Sequence, residues 1–90
     1  MNEEPKTSFP KSHEIAFLRT ELHTGLTLSR IALSKNHTEK RSRNRANAKK
    51  AYDAVIRFLP GTNLAPDQEV EIRNMLEELK VELRLLGETI

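Results

Sequence analysis

The chain has no cysteine and no tryptophan, and only three glycines, four prolines and four aromatic side chains in 90 residues. Without cysteine there is no disulfide framework, no thiolate zinc site and no cysteine nucleophile, and a reducing compartment is permitted. No apolar run approaches the roughly 18 residues of a membrane span, and residues 1–12 carry no apolar stretch of the signal-peptide kind. These absences predict a cytoplasmic protein with no membrane association. The glycines are isolated, so no phosphate-cradling loop exists, and neither a GxSxG elbow nor a serine with a nearby base and orienting acid occurs. Hydrolase and nucleotide-binding chemistry therefore have no candidate residues. Nowhere do β-branched and aromatic residues alternate with polar ones over four or more positions, which removes strands.

What is present is 37% hydrophobic and 31% charged, the balance of one small compact core. At this length about 60 to 65% of the unfolded surface is buried on folding, enough without a metal or disulfide but with little stability to spare. Residues 1–12 hold two prolines and one large apolar side chain, Phe9, and are expected to form a flexible, disordered tail. From residue 13 to residue 35, Ile15, Leu18, Leu22, Leu26 and Leu33 recur at spacings of three, four, four and seven, the period of one helical face. Phe17, Leu28 and Ile31 lie on an adjoining face. A helix this broadly apolar touches more than one neighbour, and any surplus is a candidate interaction surface.

A second helix is expected over residues 38–59. Thr38 supplies a capping hydroxyl, and Ala48, Ala51, Tyr52, Val55, Phe58 and Leu59 share one face. Pro60 cannot continue the helix, and Gly61 permits a left-handed turn. The first half of this helix has no apolar face and is expected to fray or project. A third helix, residues 66–86, opens at Pro66 with no capping side chain at Ala65. Ile72, Leu76, Leu79, Leu83, Leu86 and Ile90 then follow at the four-three period of a coiled-coil seam, with Gly87 as a stop. Short connections make consecutive helices antiparallel, so residues 13–90 predict one all-α, antiparallel three-helix bundle.

Charge is distributed unevenly. Residues 35–50 hold seven bases against Glu39 alone, and residues 67–90 hold seven acids against Arg73, Lys80 and Arg84. Cations crowd the start of the second helix, where the macrodipole disfavours them. Two readings compete. Arg41, Arg43, Arg45, Lys49 and Lys50 could neutralise nucleic-acid phosphates. Alternatively, antiparallel packing sets them beside Glu77, Glu78, Glu82 and Glu88 at the end of the third helix, giving pairs worth about 0 to 1 kcal/mol each.

His13, His23 and His37 lie ten and fourteen apart, and none has an acidic or histidine partner at the spacing of a helical metal site. No metal, cofactor or catalytic residue is therefore expected. His23 shares a polar stripe with Arg19, Thr27 and Arg30, read as a solvated face.

Ala48, Tyr52, Val55 and Pro60 stand at the spacing of a small residue, an aromatic, a small residue and a closing proline. This stretch resembles the second helix of a tetratricopeptide repeat. The positions where the first helix of that repeat carries an aromatic, a Leu-Gly pair and a tyrosine hold Ala32, Lys35-Asn36 and Glu39. The layout of three helices, with an Ala-Tyr-rich middle one and a Leu-Glu-Lys-rich last one, is also similar to the microtubule-interacting and trafficking domain. Both resemblances imply binding of a peptide or protein in a groove between helices. The expected function is thus a non-enzymatic helical interaction module that self-associates, as a homodimer, or binds a partner helix through Phe17, Leu28 and Ile31. The alternative is a nucleic-acid-binding protein using the basic start of the second helix.

Overall fold

A computed structural model of the chain describes residues 4–34 and 38–90, with side chains described from residue 13 onward in the first helix. Three helices follow one another, α1 (Glu4–Ser34), α2 (Thr38–Phe58) and α3 (Pro66–Leu85), and a 3-10 turn (Leu59–Gly61) closes α2. No strand occurs among the described residues. The backbone of α1 is helical from Glu4, earlier than residue 13, where the apolar period begins. Of the predicted tail, residues 1–3 and the side chains of 4–12 lie outside the described residues, as do Lys35, the predicted end of the first helix, and Asn36 and His37 between the first and second helices.

Four contacts set the directions of the helices. Phe17 near the start of the α1 core packs on Phe58 at the end of α2, and Arg45 near the start of α2 bonds Glu88 just past α3. Each consecutive pair is therefore antiparallel. Arg19 reaches Glu71 and Arg30 reaches Glu82, both 52 residues further along. A constant offset means that α1 and α3 run parallel and nearly in register. The result is an up-down-up three-helix bundle, as short connections require.

Its core is built from the predicted faces. Ile15, Leu18, Leu22 and Leu26 of α1 meet Ala48, Tyr52 and Val55 of α2, and Ile72, Leu76, Leu79 and Leu83 of α3. The seam of α3 is thus spent inside the bundle, with Ile90 packed against it, and is not left over for a coiled coil. Each leucine so buried contributes about 1.5 to 3 kcal/mol relative to exposure. Phe58, by contrast, was expected on the buried face and is 51% exposed. It sits about 80° round the helix from Ala48, at the margin of the stripe that Val55 and Leu59 fill.

The helix ends explain how the connections are held. At Ala65, where no side chain can cap, the Gln68 amide oxygen accepts from the Ala65 N–H at 3.0 Å, half of a capping box. Gly87 adopts φ 107°. The Gly87 N–H donates to the Arg84 carbonyl and the Glu88 N–H to the Leu83 carbonyl, both at 3.0 Å, a Schellman closure that only a residue tolerant of positive φ supplies cheaply. Gly61 does not make the left-handed turn expected of it, since among the described residues only Gly87 has positive φ. Instead the 3-10 turn closes on Thr62, whose N–H and hydroxyl both donate to the Leu59 carbonyl. The Asn63 N–H then donates to the Glu14 carboxylate, tying this connection to α1.

Candidate functional site

The predicted interaction residues do not form one patch. Phe17 is 39% exposed and meets Phe58 edge-to-face, with ring centroids 5.2 Å apart and planes at 80°. Leu28 and Ile31 are half-buried, and Leu28 packs against the core. They lie about 16 and 21 Å further along α1 at 1.5 Å per residue, too far to be continuous with Phe17. The surplus apolar surface of α1 is therefore concentrated at one end of the bundle, where the two phenylalanines wall a cleft of about 410 Å³. Fully buried Leu18 forms its floor, and His13, Glu14 and Arg57 stand around it. Phe58 is the site residue that periodicity missed. Its place at the stripe margin, just before Pro60, was the available signal.

The basic run divides by helical period. Arg41, Arg45 and Lys49 are half-buried on one flank of α2, while Lys40, Arg43 and Lys50 are exposed. Arg45 bonds Glu88 at 2.8 Å, Lys49 pairs with Asp53 at 3.0 Å within α2, and Arg43 stands 3.8 Å from Glu39, both of that pair largely exposed. Of the four glutamates offered as partners for this run, only Glu88 takes one of its cations. Glu78 and Glu82 instead bind Arg30 of α1. Among the described residues, Lys40, Arg41, Lys50 and Glu77 have no ion-pair partner.

The polar stripe of α1 is in part the seam with α3. The Arg19 guanidinium donates from Nε and Nη2 to the two Glu71 oxygens at 2.7 and 2.8 Å, a bidentate fork. That hydrogen bonding holds the Glu71 carboxyl below its ordinary value against a smaller opposing desolvation, and raises Arg19 in return. Glu82 accepts from Arg30 at 3.0 Å and from the buried Ser29 hydroxyl, which also lies 3.1 Å from the Leu26 carbonyl. Arg30 is raised above its ordinary value chiefly by the Glu82 hydrogen bond. His23 is exposed on this stripe. No group of three acidic or histidine side chains among the described residues converges as a metal site would require.

Compared with protein-family models, curated proteins and solved structures, the chain matches none. The tetratricopeptide-like and trafficking-domain-like features therefore rest on residue spacing and helix layout alone. No helix among the described residues is long and apolar enough to cross a membrane.

Proposed function

We propose that the protein is a non-enzymatic, cytoplasmic helical interaction module whose contact surface is the Phe17–Phe58 end of the bundle. The supporting observation is the exposed aromatic pair beside a cleft floored by Leu18. Two aromatic rings left half in water beside a concave apolar floor form the kind of anchor site in which binding energy concentrates, because water expelled there is replaced by close contact. The cleft opens between antiparallel α1 and α2, and its size suits a few apolar side chains from one helix. A second copy of the chain, forming a homodimer, is the occupant first expected. Sedimentation equilibrium of the wild type against a Phe17→Ser/Phe58→Ser variant tests this. The wild type should be a dimer and the variant a monomer of unchanged helical content, and a wild-type monomer at high concentration would refute self-association.

A further inference from the structure

We propose a second surface, which meets the aromatic cleft only at Arg57: the outward face of α2 carries a row of cations, Arg43, Lys50 and Arg57, that binds the phosphodiester backbone of duplex nucleic acid. These three residues are spaced seven apart, so successive members drift only about 20° round the helix and stand about 10 Å apart along it. All three are exposed, and Lys40 and Asn47 are exposed beside the row. The half-buried Arg41, Arg45 and Lys49 face the other flank and are not part of it.

What isolates the row is the use made of the acidic third helix. Glu71 is taken by Arg19, Glu78 and Glu82 by Arg30, Glu69 by Arg73 and Glu88 by Arg45. Five of the seven acids of residues 67–90 are thus paired with α1, within α3 or with one half-buried residue of α2, leaving Asp67 and Glu77 without an ion-pair partner among the described residues. Along the outward row Arg43 stands 3.8 Å from Glu39, open to water, which screening makes weak, and Asp53, one helical turn from both Lys50 and Arg57, is held by Lys49 at 3.0 Å. Exposed cations held on a rigid helix release counterions when phosphates replace water around them. The occupant is a duplex backbone for two reasons. No large aliphatic side chain lies between Arg43 and Arg57 on this face, where Ala46 and Ala54 fill the gaps, so a bilayer has nothing to hold. Aromatic side chains that would stack single-stranded bases are also missing from it until Phe58 at its end. Asn47, beside Arg43 and Lys50, supplies an amide for phosphate or sugar oxygens.

The test is fluorescence anisotropy with a labelled mixed-sequence duplex DNA at several salt concentrations. The expected result is binding at low salt, with log affinity falling against log salt at a slope of about −3. Arg43→Gln/Lys50→Gln/Arg57→Gln should weaken binding at least about tenfold and remove most of the slope. Arg43→Lys/Arg57→Lys should keep the slope, because the counterions released depend on charge and not on guanidinium geometry. Arg41→Gln/Lys49→Gln, on the other flank, should change little. Absence of duplex binding at low salt would overturn the proposal. So would equal losses in the two glutamine variants, or binding to phosphatidylcholine vesicles containing phosphatidylserine in place of duplex.

Discussion

Gly25 of α1 lies against Leu79 of α3 so closely that a Cβ built on it would stand 2.6 Å from Leu79 Cδ2, and 3.3 Å from the Ala51 Cβ of α2. All three helices meet at this point, and the missing side chain is what lets them. Gly25→Ala is therefore expected to destabilise. Overpacking costs about 1 to 3 kcal/mol, offset by the roughly 1 kcal/mol that alanine gains over glycine inside a helix. In a Leu79→Ala background, where the obstructing methyl is gone, Gly25→Ala should instead be neutral or stabilising. Urea unfolding of the four species checks this, and a stabilising Gly25→Ala in the wild type would contradict the close contact.

The Arg19–Glu71 fork predicts a pH dependence. Its hydrogen bonds hold Glu71 below the ordinary 4.5. A carboxylate lowered in the folded state adds stability above its unfolded value, and that stability is lost as the pH falls through the lowered value. The wild type should thus lose more stability than Glu71→Gln on acidification below 4.5. The difference should be modest and should shrink in high salt, because both side chains are about two-fifths exposed. Urea midpoints at neutral and acid pH, for both chains, measure it.

Glu78 and Glu82 both bind Arg30, yet their side chains are 52% and 15% exposed. Glu82 also accepts from buried Ser29. Glu82→Ala should cost about 1 to 2 kcal/mol, and Glu78→Ala at most about 0.5 kcal/mol. Equal losses in chemical denaturation would show that the Ser29 contact adds nothing.

Leu28 and Phe58 should separate stability from association. Leu28 packs against the core, so Leu28→Ser is expected to cost about 1 to 2 kcal/mol with no specific effect on oligomer mass. Phe58 is half-exposed, and Phe58→Ser should leave stability nearly unchanged while abolishing the dimer. Sedimentation together with thermal unfolding distinguishes the two. An unfolded Phe58→Ser, or a dimeric one, would place the aromatic pair in the fold and not in an interface.

The arrangement of apolar residues in sequence was enough to specify the three helices, because periodicity, Pro66 and Gly87 act within one or two turns of chain. Ile72, Leu76, Leu79 and Leu83 are buried as their spacing demands, and α3 starts at Pro66 and closes through Gly87. Helix start at Glu4 and the 3-10 closure at Leu59–Gly61 were not legible, since prolines at Pro5, Pro10 and Pro60 argue equally for a break. Gln68 was a visible cap signal three residues after Ala65, in the position a capping box uses.

Spacing along one helix gives each residue an angle on that helix and nothing about what stands opposite. Arg19 and Arg30 therefore read as a solvated stripe, and only the parallel register of α1 and α3 set them against Glu71, Glu78 and Glu82. Once those acids were taken, the outward cations of α2 were left to solvent. The same register placed Gly25 under Leu79, while the antiparallel meeting of α1 and α2 left Phe17 and Phe58 at an open end. Local periodicity thus determined which faces are apolar. The tertiary structure decided which charges are neutralised and which apolar groups stay exposed, because both depend on distances between helices that no single helix encodes.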